Sequence, residues 1–548
     1  MDRIYLALYY ISIFGGIILA AVGVGFFLRN RKSAEDQAQA PAWEGEVSRI
    51  AVLLLFLVAF LLRLYGLGST PQGINQDEAM SVVNARSILE TGMDIAGNSY
   101  PAEFVAWGNS GQSVLLAYCM IPLIALFGDG LFVVRLVPVL FSMLGLWAFY
   151  QLCRQMVSAK KAYILTLFAA FSPWHFMQSR WGLDCNLMSH LWILGILMLL
   201  MALKDRRFYY GAAAVFGLSM YSYGISFYTI TVYLVIGVLY LLYTKQISVK
   251  QTLGCMGIFL LISLPIDLTM LINTLHLETM HFGPITMPLL SDQVRSQDIL
   301  LFAFSGEQML TNLRFLERLL LGQYDGLWFN SNLFFGTIYL CSMPFALIGM
   351  IKICYEAHKN AALIVRTKWM LIWLYLVIAF FSGVITKEVN VNRMNFLYYG
   401  LIFATGVGFF TLGEGLGNWR KSVYVLYSIN IVAFFFMYFT LWANTSSFFA
   451  DYEQAIKAAG ETGKDRQAIV VEYNSPDMTK VLTLYEQAVP METYQNGTFA
   501  ENVTFYEKIE DIDTMQEEVV YVIRLSDLEL LPEDFVVMQY GAYAVVYQ

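Results

Sequence analysis

Gly73-Ile-Asn-Gln-Asp77-Glu78-Ala-Met-Ser-Val-Val-Asn-Ala-Arg86-Ser-Ile-Leu-Glu90-Thr-Gly92 is the stretch around which the chain is organised. It follows a hydrophobic run that ends near Leu64. Ala79, Val82, Ala85 and Leu89 recur at three- and four-residue spacing, which predicts a short helix with one apolar face. Gly92 stands where that helix would stop. Two adjacent acids, Asp77 and Glu78, therefore open a helix just above an apolar segment. Two readings fit. In one, the pair is the catalytic edge of a membrane enzyme. In the other, Asp77 caps the helix and Glu78 complements its dipole.

The composition settles the solvent. Of 548 residues, 58% are hydrophobic and 14% charged, and the mean hydropathy is +0.56, too high for an ordinary soluble protein. Repeated runs of about 20 apolar residues match the hydrocarbon core of a bilayer. The short alternating segments of a β-barrel are not present. The fold class is thus all-α and polytopic. A net charge of -8, with no basic block interleaved with aromatics, gives no sign of nucleic-acid binding. The six cysteines are scattered beside apolar segments without metal-type spacing and read as small core residues.

Ile4–Leu28 is the first span, too long for a signal-peptide core and read as retained. A basic cluster and an Ala/Gln/Glu/Pro linker then lead to Ile50–Leu64. Within the loop that follows, Val114–Phe127 is short and interrupted by Pro122, and we read it as an interfacial helix. With that reading every later basic loop falls on one side, which the positive-inside rule makes cytoplasmic. The remaining spans are expected near 131–153, 162–178, 187–203, 208–224, 227–243, 251–271, 333–351, 369–386, 394–413 and 422–443. The organisation is an N-terminal helix and linker over 1–48, then a membrane domain of about twelve spans in all, its core over 49–443, with outer loops 65–130 and 272–332. Over 444–548 charges return, with β-type runs at Gln467–Tyr473, Val519–Leu525 and Phe535–Gln548. Helical pieces are expected at Asp451–Ala459 and Met478–Gln487. This reads as a small extracytoplasmic α/β domain that docks on the catalytic face, binds an acceptor, or only stabilises. Low cysteine use and the absence of a clear targeting signal suggest a multi-pass protein of the plasma membrane.

The polar and unusual residues gather on the outer side, which suits an enzyme of the outer leaflet. A transporter more often places them near the bilayer midplane on broken helices. Asp77 has Tyr100, Trp107 and Asn109 in its loop, a polar and aromatic surround for substrate. The turn Ser172–Asn186 offers His175, Arg180, Asp184 and Asn186. There Arg180 suits a phosphate and Asp184 a sugar hydroxyl, or else Arg180 snorkels with Asp184 as its partner. The turn Thr386–Tyr399 sets Lys387 and Arg393 at a span mouth, where two cations suit a lipid phosphate, or simply anchor the span. The hairpin Ser219–Tyr228, with Tyr223, suits stacking on a sugar face, although interfacial aromatics are common in any membrane protein. His276, Glu278 and His281 are three possible ligands for a divalent metal, with no fourth in reach. No Walker A loop, GxSxG or HExxH appears, which argues against ATP drive, common hydrolases and metalloproteases.

With these residues assembled, the chain resembles polytopic glycosyltransferases of the GT-C superfamily, specifically the protein O-mannosyltransferase and lipid A aminoarabinose transferase group. The resemblance covers roughly Ile50 to Ala443. Its most specific part is Gln76-Asp77-Glu78 with the following helix to Gly92. Gly130-Leu-Phe-Val-Val-Arg135-Leu-Val-Pro138 and the turn from Ser172-Pro173 to Asp184 also match. The resemblance implies Asp77 as catalytic base, Glu78 beside it shaping the acceptor site, Asp184 as a second acid and Arg393 as a contact for the donor phosphate. Such enzymes move a sugar from a polyprenyl-phosphate carrier on the outer leaflet with inversion at the anomeric carbon, and no cofactor is required. The usual downstream His-Pro-Pro or Glu-Lys-Pro signature is replaced here by Tyr100-Pro101-Ala-Glu103-Phe-Val-Ala-Trp107-Gly-Asn109-Ser, which leaves lipid, glycan and protein acceptors all open. A lipid-linked-sugar flippase and a non-catalytic assembly subunit are the alternatives.

Overall fold

The computed structural model describes residues 2–30, 45–106, 110–290, 305–386, 389–416, 419–442, 448–462, 467–471, 476–497, 503–506, 519–530 and 535–548. Helices α1 (Asp2–Asn30) and α2 (Arg49–Leu64) precede the acid helix α3 (Gln76–Thr91). A small hairpin of β1 (Phe104–Ala106) and β2 (Ser110–Gln112) leads to α4 (Leu115–Phe127). Then come α5 (Leu131–Met156), α6 (Ala159–Ala170), α7 (Pro173–Gln178), α8 (Cys185–Ala202), α9 (Phe208–Ser219), α10 (Ser226–Tyr243) and α11 (Val249–Leu275). A second hairpin, β3 (Met280–Phe282) and β4 (Ile285–Met287), precedes α12 (Gly306–Glu317). The membrane part closes with α13 (Met343–Lys359), α14 (Leu363–Ile385), α15 (Tyr398–Leu416) and α16 (Arg420–Met437).

Nine helices among the described residues are long and apolar enough to cross a membrane. The other three of the twelve expected spans correspond to α2, α6 with α7, and α9, of which α2 has 16 residues and α6 and α9 have 12 each. The span expected over 162–178 breaks after Phe171. Pro173 cannot donate a helical hydrogen bond, so it opens a new helix capped by Ser172. The α4 helix has 13 residues, too few to span. At the crossing of α13 and α15, a Cβ on Gly349 would overlap the Ala404 carbonyl and one on Gly408 the Phe345 carbonyl. Glycine there lets two backbones touch, which substitutes for the hydrophobic drive that lipid does not supply.

The α3 helix departs from the expected one-faced helix. Glu78 to Ile88 are all buried, polar residues included, while Leu89 is 42% exposed. Membrane-domain helices α4 and α5 cover one side, and the C-terminal domain covers the other. That domain contains α17 (Phe448–Thr462), β5 (Gln467–Val471), α18 (Pro476–Glu486), α19 (Met491–Gln495), β6 (Val503–Tyr506), β7 (Val519–Arg524), β8 (Val536–Tyr540) and β9 (Tyr543–Tyr547). The sheet order is β6-β5-β7-β9-β8, with β5 parallel to β6 and β7, and β9 antiparallel to β7 and β8. The last β-type run of the sequence folds into a hairpin at Gly541, whose φ of +58° suits glycine. Val520 and Val522 of β7 face the core shared with α3, and Val519, Tyr521 and Ile523 pack on the opposite face. A strand buried on both faces explains an unbroken apolar run.

One charge in this domain makes it pH-sensitive. The Glu486 side chain is 3% exposed and beside Lys457 and Glu453. Burial outweighs the lysine and pushes its carboxyl up to about 7. A raised carboxyl pKa adds stability that is complete below the unfolded value near 4.5 and lost as pH rises through 7. Asp94, raised to about 6 chiefly by burial, has the same sign. Thermal melts of the full chain should therefore fall between pH 5 and pH 8. Glu486→Gln should remove a share of that slope worth about 2–3 kcal/mol. Equal slopes in parent and variant would refute the assignment.

Candidate active site

The first turn of α3 is built before any chemistry is considered. Asn75 is the N-cap and accepts from Asp77 N at 2.8 Å, while Asn75 N donates to Glu78 Oε2 at 3.0 Å. This reciprocal box satisfies two helix-end amides that would otherwise lack partners. Asp77 is therefore not the cap. The residue is half-buried at the second helical position.

Glu78 points the other way. Its side chain and that of Arg135 are both fully buried, with Nε–Oε1 and Nη2–Oε2 each 3.0 Å. Gly182 N also donates to Oε1. A carboxylate occupied by a bidentate arginine and two amides is an anchor, where the resemblance implied an acceptor-site role for Glu78. Arg135 also donates to the carbonyls of Pro71 and Gly73, both at 2.7 Å, and lies 4.7 Å above the Trp181 ring. One guanidinium thus joins α5, the entry to α3 and the turn before α8.

That turn ends in Asp184, the N-cap of α8, whose Oδ1 accepts from Cys185 N at 2.7 Å. Its Oδ2 accepts from Ser113 N at 3.3 Å. The neighbouring Gln112 donates from Nε2 to the Asp77 carbonyl at 3.2 Å. The Gln112–Ser113 pair therefore bridges the two acids, and both carboxylates act electrostatically on Cys185. Tyr223 packs with Trp181, Leu183, Cys185, Phe329 and Phe449 in one hydrophobic cluster at this point. Arg393 is half-buried, and its N–H donates to Asn390 Oδ1 at 2.9 Å. Two residues on, the Asn395 amide donates to the Cys185 carbonyl at 3.1 Å and to Asn186 Oδ1 at 2.9 Å. The structure thus gathers Asp77, Asp184, Tyr223 and the Arg393 turn at one end of the helical domain.

Other expected site residues have structural employment. The Arg180 guanidinium donates to the carbonyls of Arg63 and Thr70 at 2.7 Å and of Gly66 at 3.0 Å, and is buried. It is spent on the end of α2, where carbonyls lack helical partners. His175 receives Arg63 Nη2 at 2.6 Å on Nδ1 and meets Tyr399 Oη at 2.8 Å through Nε2, and is buried. Asn186 Nδ2 stitches the carbonyls of Gln178 and Trp181. Tyr100 lies beyond the far end of α3, roughly 20 Å of helix from Asp77 at 1.5 Å per residue. There it lines an apolar cavity of about 510 Å³ with Tyr118, Tyr221 and Pro265.

His276 is a left-handed cap on α11 and His281 sits on the exposed β3. Neither they nor Glu278 belong to any metal-type group of three or more ligands among the described residues. Trp107, Asn109 and Lys387 lie outside the described residues. The sequence reading missed Gln112 and Ser113, and it quoted Arg135 without a role. An arginine inside an apolar span was the one available signal for the last of these.

Residues 112–268 match the family model described as dolichyl-phosphate-mannose-protein mannosyltransferase, under a third of the chain. The matched segment holds Gln112, Ser113, Arg135, Asp184 and Tyr223, and stops short of Asp77 and Arg393. Among solved structures, ArnT from Cupriavidus metallidurans, bound to undecaprenyl phosphate, is 13% identical. The match covers 91% of this chain and 98% of ArnT at a TM-score of 0.46. The oligosaccharyltransferase of Archaeoglobus fulgidus is 12% identical over 87% of this chain and 70% of its own, also at 0.46. The arabinofuranosyltransferase AftD from Mycobacteria is 13% identical over 81% of this chain and 33% of its own, at 0.44. No curated protein matches. The resemblance to GT-C glycosyltransferases read from the motifs is thus met by the family match.

Proposed function

We propose that this chain is an integral-membrane inverting glycosyltransferase that moves a sugar from a polyprenyl-phosphate donor to a lipid, glycan or protein acceptor at the outer face of the membrane. The observation that carries the proposal is the division of labour at the α3 start. Asn75 and Glu78 perform the capping, Glu78 also takes the arginine, and Asp77, half-buried, is linked to Asp184 through Gln112–Ser113 and acts with it on Cys185. The family match over 112–268 supports the same chemistry.

In the proposed reaction Asp77 accepts the proton of an acceptor hydroxyl or amine as that atom attacks C1 of the sugar. The new bond forms at C1 as the C1–O bond to phosphate breaks on the opposite face. The electron pair leaves with the polyprenyl phosphate. Arg393 neutralises the charge that develops there. Asp184 orients the sugar and Tyr223 stacks on its apolar face. The donor's tail stays in the bilayer, so only its head has to be positioned, which lowers the entropic cost of assembly. Glu78, Arg135, Arg180, His175 and Asn186 hold this geometry without touching substrate.

Membranes carrying the chain should consume a polyprenyl-phosphate sugar and ignore a nucleotide sugar. The reverse preference would overturn the donor assignment. Arg393→Ala should lower kcat/KM for that donor by about 10²-fold. Arg393→Lys should recover part of it, since an ammonium supplies charge without the paired hydrogen bonds. Unchanged kinetics in the alanine variant would remove Arg393 from the site.

A further inference from the structure

We infer that the C-terminal domain is a working part of the catalytic site, because it fixes the position of α3 along its whole length, with Arg86 and Gln495 as positioning residues. The inference rests on the proposal that Asp77 is the base. Three sets of contacts carry it. At the N-terminal end, Gly73 (φ +73°) lies so close to the first turn of α17 that a Cβ there would collide with the Ala450 backbone. The same glycine's carbonyl is held by Arg135. The chain entering α3 is therefore pinned between the membrane domain and the C-terminal domain. In the middle, Arg86 donates to Asp129 Oδ2 and to the Leu484 carbonyl of α18, both at 2.8 Å. At the C-terminal end, Gln495 Nε2 donates to Ser87 Oγ and Thr91 Oγ1 at 3.0 Å, and Met491 N donates to Glu90 Oε2 at 2.9 Å.

The apolar residues agree. Ala79, Met80, Val82, Val83 and Ile88 of α3 share one buried cluster with residues of α4, α5, α17, α18 and β7. A helix whose outward face carries Arg86, Ser87, Glu90 and Thr91 would otherwise lie half in water. Here those polar groups meet partners in α18 and α19, which fixes both rotation and sliding of α3. Removing the lock leaves the helix held on its membrane side alone, by its cap, Arg135, Gln112 and the packing of α4 and α5, with its outward face free to shift. Catalysis is sensitive to displacements of about 1 Å, so loss of the lock should appear in turnover before it appears in donor binding.

The test uses the full chain in membranes, with Gln495→Ala, Arg86→Met and their combination, measured beside Asp77→Asn. The double variant is expected to lower kcat by ~10- to 100-fold while donor KM moves by less than about 2-fold. Amide hydrogen exchange should rise across all of Gln76–Ile88, including the turn that holds Asp77, while the spanning helices keep their protection. Arg86→Lys, which retains the charge facing Asp129, should restore part of the turnover. Exchange that rises only near Thr91, with kcat unchanged, would overturn the inference and leave the domain a stabilising appendage. Gln495→Ala alone, at a half-buried position, keeps the comparison available should the double variant fail to fold. Full turnover in Asp77→Asn would instead refute the proposed reaction, and exchange across α3 would still decide whether the domain positions the helix.

Discussion

Asp77→Asn should reduce sugar transfer from a polyprenyl-phosphate donor by roughly 10²- to 10⁴-fold, the range expected for loss of a general base. The structure makes this substitution unusually clean. Asn75, and not Asp77, caps α3, and Glu78 completes the capping box. Asparagine at the second helical position therefore breaks neither cap bond. The Asp77 carboxylate's interaction with the helix dipole accounts for about 0.3–1 kcal/mol of the fold's stability. A melting temperature close to that of the parent, with turnover at background, is the expected pair of results. Donor KM should stay within a few-fold, because the proposed phosphate contact, Arg393, lies on another turn. Asp77→Glu, which keeps the base but moves it by one methylene, should retain more activity than asparagine. Turnover at the parent level in Asp77→Asn would show that the acid is a bystander, and a transport or assembly role would then fit the chain better.

How much of this was legible beforehand varied with how local the signal was. The α3 helix announced itself through apolar spacing and Gly92, which takes the left-handed conformation (φ +76°) expected of a helix stop. The break at Pro173 and the short α4 helix followed from backbone rules of the same kind. What sequence spacing could not reveal was the direction in which each side chain turns. Asp77 and Glu78 are adjacent, and residues one apart on a helix are rotated by about 100°, so only Glu78 faces Arg135. Arg180 resembled a phosphate ligand because it stands near Asp184 in sequence, yet it belongs to the carbonyls that end α2, more than 100 residues earlier. Gln112 and Ser113 carried no motif, and only the long-range fold brings them to the two acids.

Arg135→Met should have the largest effect on folding. The guanidinium is fully buried, and it is bidentate with an equally buried carboxylate. Removing it leaves the buried Glu78 carboxylate without its arginine, a loss of about 3–5 kcal/mol, which is a large part of a domain's whole stability. The same change strips the Pro71 and Gly73 carbonyls of their donor, so the entry to α3 loosens as well. The expected result is a sharp fall in the yield of monodisperse protein after detergent extraction, with a lowered melting temperature in what remains. Glu78→Gln alone should also be costly, since one amide oxygen can accept from Gly182 N or from Asn75 N but not from both, and its NH2 would face Arg135. The combination Arg135→Met with Glu78→Gln should recover part of the loss of the first, because no buried charge is then left unpaired. That recovery separates an ion pair from two independent packing residues: additive losses in the double variant would show that the two side chains stabilise the fold separately. The recovered protein is still expected to transfer sugar poorly, because methionine cannot hold the loop that enters α3 and so cannot fix where Asp77 sits.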